Sequence, residues 1–282
     1  MKDVFKDDIL AGKAAYVAGG TRGMNLAIAK KLASKGARVA VMSRNPERVA
    51  AAEAELKAIH PECVGHAVDA RDDEAVAASI AQAAEAFGGL DIVVAGQAGN
   101  FYAPVTHMSS KGFRTIVDID LVGTFNVFKA SRAHLNAPGA SLIAITAPEA
   151  VRPLHFQAHV CAAKAGVNML LRVLALEWGP AGIRVNGISP GPIEGSWGMA
   201  NVASPTQDIV DRITKAIPLK RWGTEEDIAT TALYLSSEAA SYVTGVILEC
   251  DGGVTIASPE GAELDGLDSL AGDSRVKRKS SS

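Results

Sequence analysis

The 282-residue chain is longer than one average domain, although single α/β domains reach this length. Hydrophobic residues at 48% and charged residues at 21% exclude disorder for its bulk. With 28 basic against 31 acidic residues, no excess of positive charge draws nucleic acid or an anionic membrane. Cys63, Cys161 and Cys250 are odd in number and far apart, which argues against a disulfide framework and a zinc cluster. The opening MKDVFKDDIL has acids where a targeting peptide carries bases, and no uninterrupted apolar stretch reaches the roughly 18 residues of a membrane span. A cytoplasmic globular protein is expected.

Strand and helix patterns alternate from Lys13 to about Gly253. Lys13–Gly19 is a short apolar run ending in glycine, and Met24–Lys35 carries Leu26, Ala29, Leu32 and Ala33 at helical spacing before Gly36. Arg38–Met42 reads as the next strand, followed by a helix with Pro46 in its first turn. Val64–Val68, Ile92–Ala95, Leu142–Ile145, Arg184–Ile188 and Val246–Leu248 are further strand candidates. Long helices are expected around residues 109–133 and over Gln157–Trp178. Such alternation predicts an α/β fold, one doubly wound domain over residues 1–253 with a parallel sheet flanked by helices. Residues 190–220, rich in Gly, Pro and Ser beyond a strand end, are expected to cover the substrate. Residues 254–282 turn to small and polar residues ending RVKRKSSS, read as a mobile tail, with an anion contact by its bases as the alternative.

The first strand runs into Gly19-Gly20-Thr21-Arg22-Gly23, which opens the first helix. Glycine permits the tight turn and close backbone approach that a pyrophosphate needs at a helix N-terminus, as in Rossmann domains. About twenty residues on, an NAD site wants a carboxylate for the ribose 2′-hydroxyl. Ser43-Arg44-Asn45 stands there instead. Arg44 suits a 2′-phosphate, with Arg22 as a second cation, so NADPH is expected as cofactor.

These residues resemble the short-chain dehydrogenase/reductase family over about Leu10 to Gly253. Ala18-Gly19-Gly20-Thr21-Arg22-Gly23-Met24-Asn25 is similar to its T-G-x-x-x-G-x-G turn, with Ala18 for the threonine and Asn25 for the last glycine. The resemblance implies that Met24 joins the turn at the cofactor and that Asp69, with Ala70 beside it, meets adenine. It implies that Ile183-Arg184-Val185-Asn186 followed by Pro190-Gly191-Pro192-Ile193 holds the nicotinamide. Asp251-Gly252-Gly253 resembles the end of the family domain. The Y-x-x-x-K motif falls on Val160-Cys161-Ala162-Ala163-Lys164, so lysine is present and tyrosine is not. The usual serine falls on Ala147, beside Thr146, and the usual asparagine on Asp120. Valine and alanine have no proton to give, which disfavours ordinary ketone reduction.

One branch is similar at these positions, the peroxisomal-type 2,4-dienoyl-CoA reductases. Ala98-Gly99-Asn100-Phe101, Asp118-Ile119-Asp120, Gly123-Thr124-Phe125-Asn126, His159 before Lys164, and Glu177-Trp178-Gly179-Pro180 carry the resemblance. It implies an acyl-CoA substrate, a homotetramer, reduction of a 2,4-dienoyl-CoA to a 3-enoyl-CoA, and Asp120 and Lys164 as the catalytic pair. Lys164 would also hold the nicotinamide ribose. The chain ends in Lys-Ser-Ser-Ser rather than the branch's S-K-L type address, in keeping with the cytoplasmic expectation.

An ionised carboxylate would repel an enolate, so Asp120 is expected to be protonated or paired with Lys164. A blander reading makes it a helix-capping residue. Lys164 is expected in a packed surround of Ala162, Ala163, Ala165 and Val167. Tyr102 is the rival proton donor and otherwise a pocket wall, with Asn100 and Phe101 beside it. His159 lies five residues, about 140° of helix, from Lys164 and is read as structural. His155 and His159 lack an obvious third ligand, so no metal is expected. Two other functions compete. One is another short-chain reductase, such as a 3-oxoacyl-thioester reductase; the other is a catalytically silent NADPH-binding sensor or scaffold.

Overall fold

Ala, Val and Ile dominate the strand sequences, and every position of β1 (Ala14–Ala18), β4 (Ile92–Ala95) and β5 (Ser141–Ile145) is buried. Burial on both faces is what a parallel sheet under two helical layers requires. In the computed structural model, which describes residues 5–196 and 206–257, these strands join β2 (Arg38–Ser43), β3 (Val64–Ala67), β6 (Arg184–Pro190) and β7 (Ile247–Cys250). The order is β3-β2-β1-β4-β5-β6-β7, with every neighbouring pair parallel. The expected doubly wound fold is therefore present. The order reverses between β1 and β4, where such sheets open a crevice for ligands.

On one face, α1 (Gly23–Ser34) and α8 (Glu225–Ser236) bury Ile28, Leu32, Ile228 and Leu233 against the sheet. On the other, α3 (Asp73–Phe87), α5 (Gly123–Ser131) and α6 (Ala158–Trp178) bury Ile80, Phe128 and Leu171. The helix α2 (Pro46–Lys57) begins at the predicted proline, with Asn45 capping Arg48 N–H. A reciprocal cap fixes the start of α8. Asp227 N–H donates to Thr224 Oγ1 at 3.2 Å, and Thr224 N–H donates to Asp227 Oδ2 at 2.8 Å. Residues Ala158–Ala181 are long and apolar enough to cross a membrane, yet the buried face of α6 packs on the sheet and carries Lys164.

Three differences from the sequence reading have physical causes. The stretch around 109–133 is interrupted: α4 (Ser110–Val117) leads into a π-helical turn, Asp118–Val122, before α5. It is flanked by Val117 and Gly123 in ordinary right-handed helical geometry, so hydrophobic periodicity does not reveal the wider turn. β6 reaches Pro190, two residues beyond its expected end at Ile188, because Pro190 still pairs with Cys250. The 190–220 segment is not all loop; it contains α7 (Gln207–Ala216), while residues 197–205 lie outside the described residues. Of the polar extension, residues 254–257 are described and 258–282, including the basic cluster, are not.

Candidate active site

The C-terminal ends of β1, β4, β5 and β6 deliver loops into one cavity of about 1060 Å³. At the first, Gly19 has φ +75°, and an added Cβ would meet Gln97 N at 2.7 Å. Gly20 closes the turn from beneath, its Cβ position lying 2.8 Å from Val17 O. Gly20 is thus buried under the turn, whereas Gly19, Thr21, Arg22, Gly23 and Met24 line the cavity. The turn feeds the N-terminus of α1, where unpaired N–H groups attract anions. Asn25, in place of the last family glycine, donates from Nδ2 to Gly96 O at 2.6 Å and ties the turn to the β4 loop.

Ser43 and Arg44 line the cavity at the end of β2, as expected, and Arg48 joins them from the first turn of α2. Partial burial and the positive charges of Arg48 and Arg44 hold the Arg22 guanidinium below its ordinary pKa. Three cations brought together beside a glycine turn fit a phosphorylated dinucleotide. Arg48 escaped sequence reading. Asp69 and Ala70 also line the cavity. Arg71 holds Asp69 through Nε at 3.0 Å and Nη2 at 2.6 Å, keeping its carboxyl below the usual range. Ala70 O accepts from Asn126 Nδ2 at 3.0 Å, which anchors this wall to α5.

The π-helical turn carries Asp120 fully buried. Gly99 N–H donates to its Oδ1 at 2.8 Å, and Lys164 Nζ lies 3.3 Å from its Oδ2. Lys164, 5% exposed, also donates to Ile145 O at 2.9 Å. Ammonium and carboxylate are therefore fixed on the cavity wall by backbone groups from two different strand ends. Removing one partner would leave the other as an uncompensated buried charge. The packed surround expected for Lys164 is half right: Ala163 and Val167 are buried, but Ala162 and Ala165 face outward on the helix.

Val160 occupies the cavity wall where the family tyrosine would stand, and Ala147 the position of its serine. Thr146 does not substitute, since its hydroxyl donates to Asn168 Oδ1 at 2.6 Å. Asn100 and Tyr102 line the cavity, but Phe101 does not; its ring meets the His159 ring edge-on, centroids 4.2 Å apart. Successive side chains of this extended loop alternate, which turns the middle one away. His159 lies within α6 and is fully buried, and burial lowers its pKa, in keeping with its structural reading. Tyr102 is 44% exposed, and partial burial together with Glu149 raises its phenol above the ordinary value. Gln157, absent from the sequence candidates, sits buried at the start of α6 and donates from Nε2 to Asn100 Oδ1 at 3.2 Å.

Pro190 and Gly191 reach the wall at the end of β6; Ile193 does not. Ile193 is buried in the core and bridges to Gly223, so its contribution is to hold the loop rather than to face a ligand.

A family profile described as enoyl-(acyl carrier protein) reductase matches residues 18–255. The chain belongs to the short-chain dehydrogenase/reductase family, whose members are oxidoreductases using a nicotinamide cofactor. More particularly, it is 37% identical to a peroxisomal 2,4-dienoyl-CoA reductase of Pongo abelii, designated (3E)-enoyl-CoA-producing. That match covers 96% of this chain and 92% of the relative. It is 36% identical to a Bacillus subtilis protein named "Probable 2,4-dienoyl-CoA reductase", designated (2E)-enoyl-CoA-producing, over 86% of this chain and 96% of the relative. The peroxisomal names contrast with the cytoplasmic location expected from the sequence. Among solved structures, a short-chain dehydrogenase from Bacillus anthracis is 33% identical with a TM-score of 0.77, covering 86% of this chain and 96% of that one. A short-chain dehydrogenase/reductase from Serratia marcescens is 28% identical with a TM-score of 0.81, covering 87% and 99%.

Proposed function

We propose that the protein reduces a 2,4-dienoyl-CoA to a 3-enoyl-CoA with NADPH. The observation that carries this reading is the buried Asp120–Lys164 pair on a wall where Val160 and Ala147 replace a tyrosine and a serine. A ketone reductase must protonate an oxygen that becomes an alcohol, and neither replacement has a proton. A conjugated thioester needs its proton at carbon, after charge has moved onto the thioester oxygen. Bound NADPH supplies the hydride, to C5 of the chain.

The residues then divide the work. Gly19, Thr21, Arg22, Gly23, Met24, Ser43, Arg44, Asp69, Ala70, Pro190 and Gly191 bind the cofactor, and Gly20 and Ile193 support their loops. Arg22, Arg44 and Arg48 favour its 2′-phosphate. Lys164 holds the nicotinamide ribose and adds positive potential for the developing oxyanion. Asp120, whose buried Oδ2 has no hydrogen bond of its own, belongs to the path that relays a proton from solvent, directly or through a water, to the α-carbon. Its neighbour Lys164 offsets the repulsion that a carboxylate would exert on an enolate. Asn100 and Tyr102 border the acyl thioester, with Pro192, Gly195 and Ser196 on the same cavity.

Met169, Val173 and Leu176 recur on one exposed face of α6, and Phe125 is exposed on α5. These apolar residues support a homotetramer with α5 and α6 at an interface.

The test is NADPH oxidation with 2,4-decadienoyl-CoA, locating the product double bond, beside parallel assays with acetoacetyl-CoA and with NADH. A 3-enoyl product with NADPH preferred is expected. A 2-enoyl product, reduction of the ketone alone, or silence with NADPH still bound would each overturn the reading. Asp120→Asn should lower kcat roughly 100- to 10,000-fold, the usual weight of a proton-transfer group, while leaving NADPH binding intact.

A further inference from the structure

Asn100 and Gln157 meet at the cavity wall, one from the loop after β4 and one at the start of α6. Gln157 is only 2% exposed, and its Oε1 is buried without a partner. A side-chain amide has two faces, one donating and one accepting. Gln157 Nε2 donates to Asn100 Oδ1, so the accepting face of Asn100 is occupied. Its donating Nδ2 has no protein acceptor among the described residues, and Asn100 lines the cavity. Gln157 and Lys164 are seven residues apart, two helical turns, and Val160 lies between them on the same wall. The amide pair and the ammonium thus border a shared space from which the tyrosine hydroxyl is missing.

We infer that Gln157 is a positioning residue for the substrate thioester. It holds Asn100 in the one amide orientation that directs Nδ2–H at the thioester oxygen. Without Gln157, Asn100 is free to turn its oxygen towards the same place, where it would repel the developing negative charge. The inference rests on the thioester reading of the site, and it applies equally to a dienoyl or a 3-oxoacyl thioester.

The deciding variant is Gln157→Glu. As a carboxylate it presents two acceptors to Asn100 Oδ1 and should flip the amide; as a carboxylic acid it donates and should restore it. Burial raises a carboxyl above its usual range, so this exchange should fall within an accessible pH window. The readout is difference infrared spectroscopy of decanoyl-CoA labelled with ¹³C at the thioester carbonyl, bound to the NADP⁺-loaded protein. This probe does not turn over, so it reports even if the proposed reaction is wrong. The carbonyl stretch should lie lower in the wild type than in Asn100→Ala and in Gln157→Glu at pH 8.5, and Gln157→Glu should regain the wild-type position at pH 5.5. Gln157→Leu should stay shifted at both pH values. With whichever thioester the wild type reduces, Gln157→Glu at pH 8.5 should lose about 100-fold in kcat, as when one oxyanion donor is removed, with KM little changed. A wild-type frequency in Gln157→Glu at pH 8.5, or a shift that ignores pH, would overturn the inference. Unaltered NADPH binding in each variant excludes misfolding as the cause.

Discussion

Arg44 replaces the carboxylate that would hold a ribose 2′-hydroxyl, and the fold adds Arg22 and Arg48 beside it. Charge-assisted contacts from a guanidinium to a phosphate exceed neutral hydrogen bonds about twofold. Arg44→Ala should therefore raise KM for NADPH by roughly 10- to 100-fold and leave KM for NADH nearly unchanged, in steady-state assays with both cofactors. Equal losses with both would show that Arg44 serves the fold instead. This much of the site was legible, because absence of an acid at a strand end is a sequence fact. Asp120 and Lys164 were legible too, through the family resemblance that puts its asparagine and lysine positions on them. Gln157 and Arg48 were not. An amide or a guanidinium at a helix start reads as a solvated surface until its neighbours are known. Phe101 erred the other way, since sequence adjacency to Asn100 and Tyr102 says nothing about which of three alternating side chains turns inward.

Among the elements, α8 shows how local chemistry sets a boundary. Asp227 closes the cap with Thr224 and also pairs with Arg221, whose Nη1 lies 2.9 Å from Oδ2. The Arg221 hydrogen bonds chiefly hold the Asp227 carboxyl at a pKa of about 2, against 3.8 for an ordinary aspartate. A carboxyl with a lower pKa folded than unfolded contributes stability that is complete above its unfolded value. That contribution disappears as pH falls from about 3.8 towards 2. Asp227→Asn should lose it at neutral pH and flatten the acid limb between those values, measured by chemical denaturation across pH. Thr224→Ala, which removes the cap oxygen, should cost about 1 kcal/mol. Strands and helices with clean periodicity were readable to within two or three residues of their ends. The π-helical turn was not, because one surplus residue per turn hardly disturbs an apolar stripe already blurred by Asp118 and Asp120.

For the molecule as a whole, one helix serves two roles. The inner face of α6 carries Lys164 and the sheet contacts, while Met169, Val173 and Leu176 face outward. A charge placed in an apolar subunit contact is poorly compensated, so Leu176→Glu should shift sedimentation from a tetramer to smaller species while the monomer keeps its fold. If the wild type sediments as a monomer, the assembly reading fails. The sequence allowed a sheet and its helices to be predicted because both obey short periods. Which apolar residues stay exposed on the outside is read only from the structure, since the same helical spacing also serves a buried face.

The wide turn at Asp118–Val122 also bears on ancestry. It holds one residue more than an α-helix of the same span requires, at the cost of a less regular backbone ladder. Loss of that residue would let α4 and α5 fuse into regular helix and swing the acid off the wall, with the sheet untouched. Drift towards a silent descendant therefore has a route that spares the glycine turn and Lys164. In a lineage of such chains, the mark of lost chemistry would be a length change of one between Ser110 and Ser131, with Lys164 still in place.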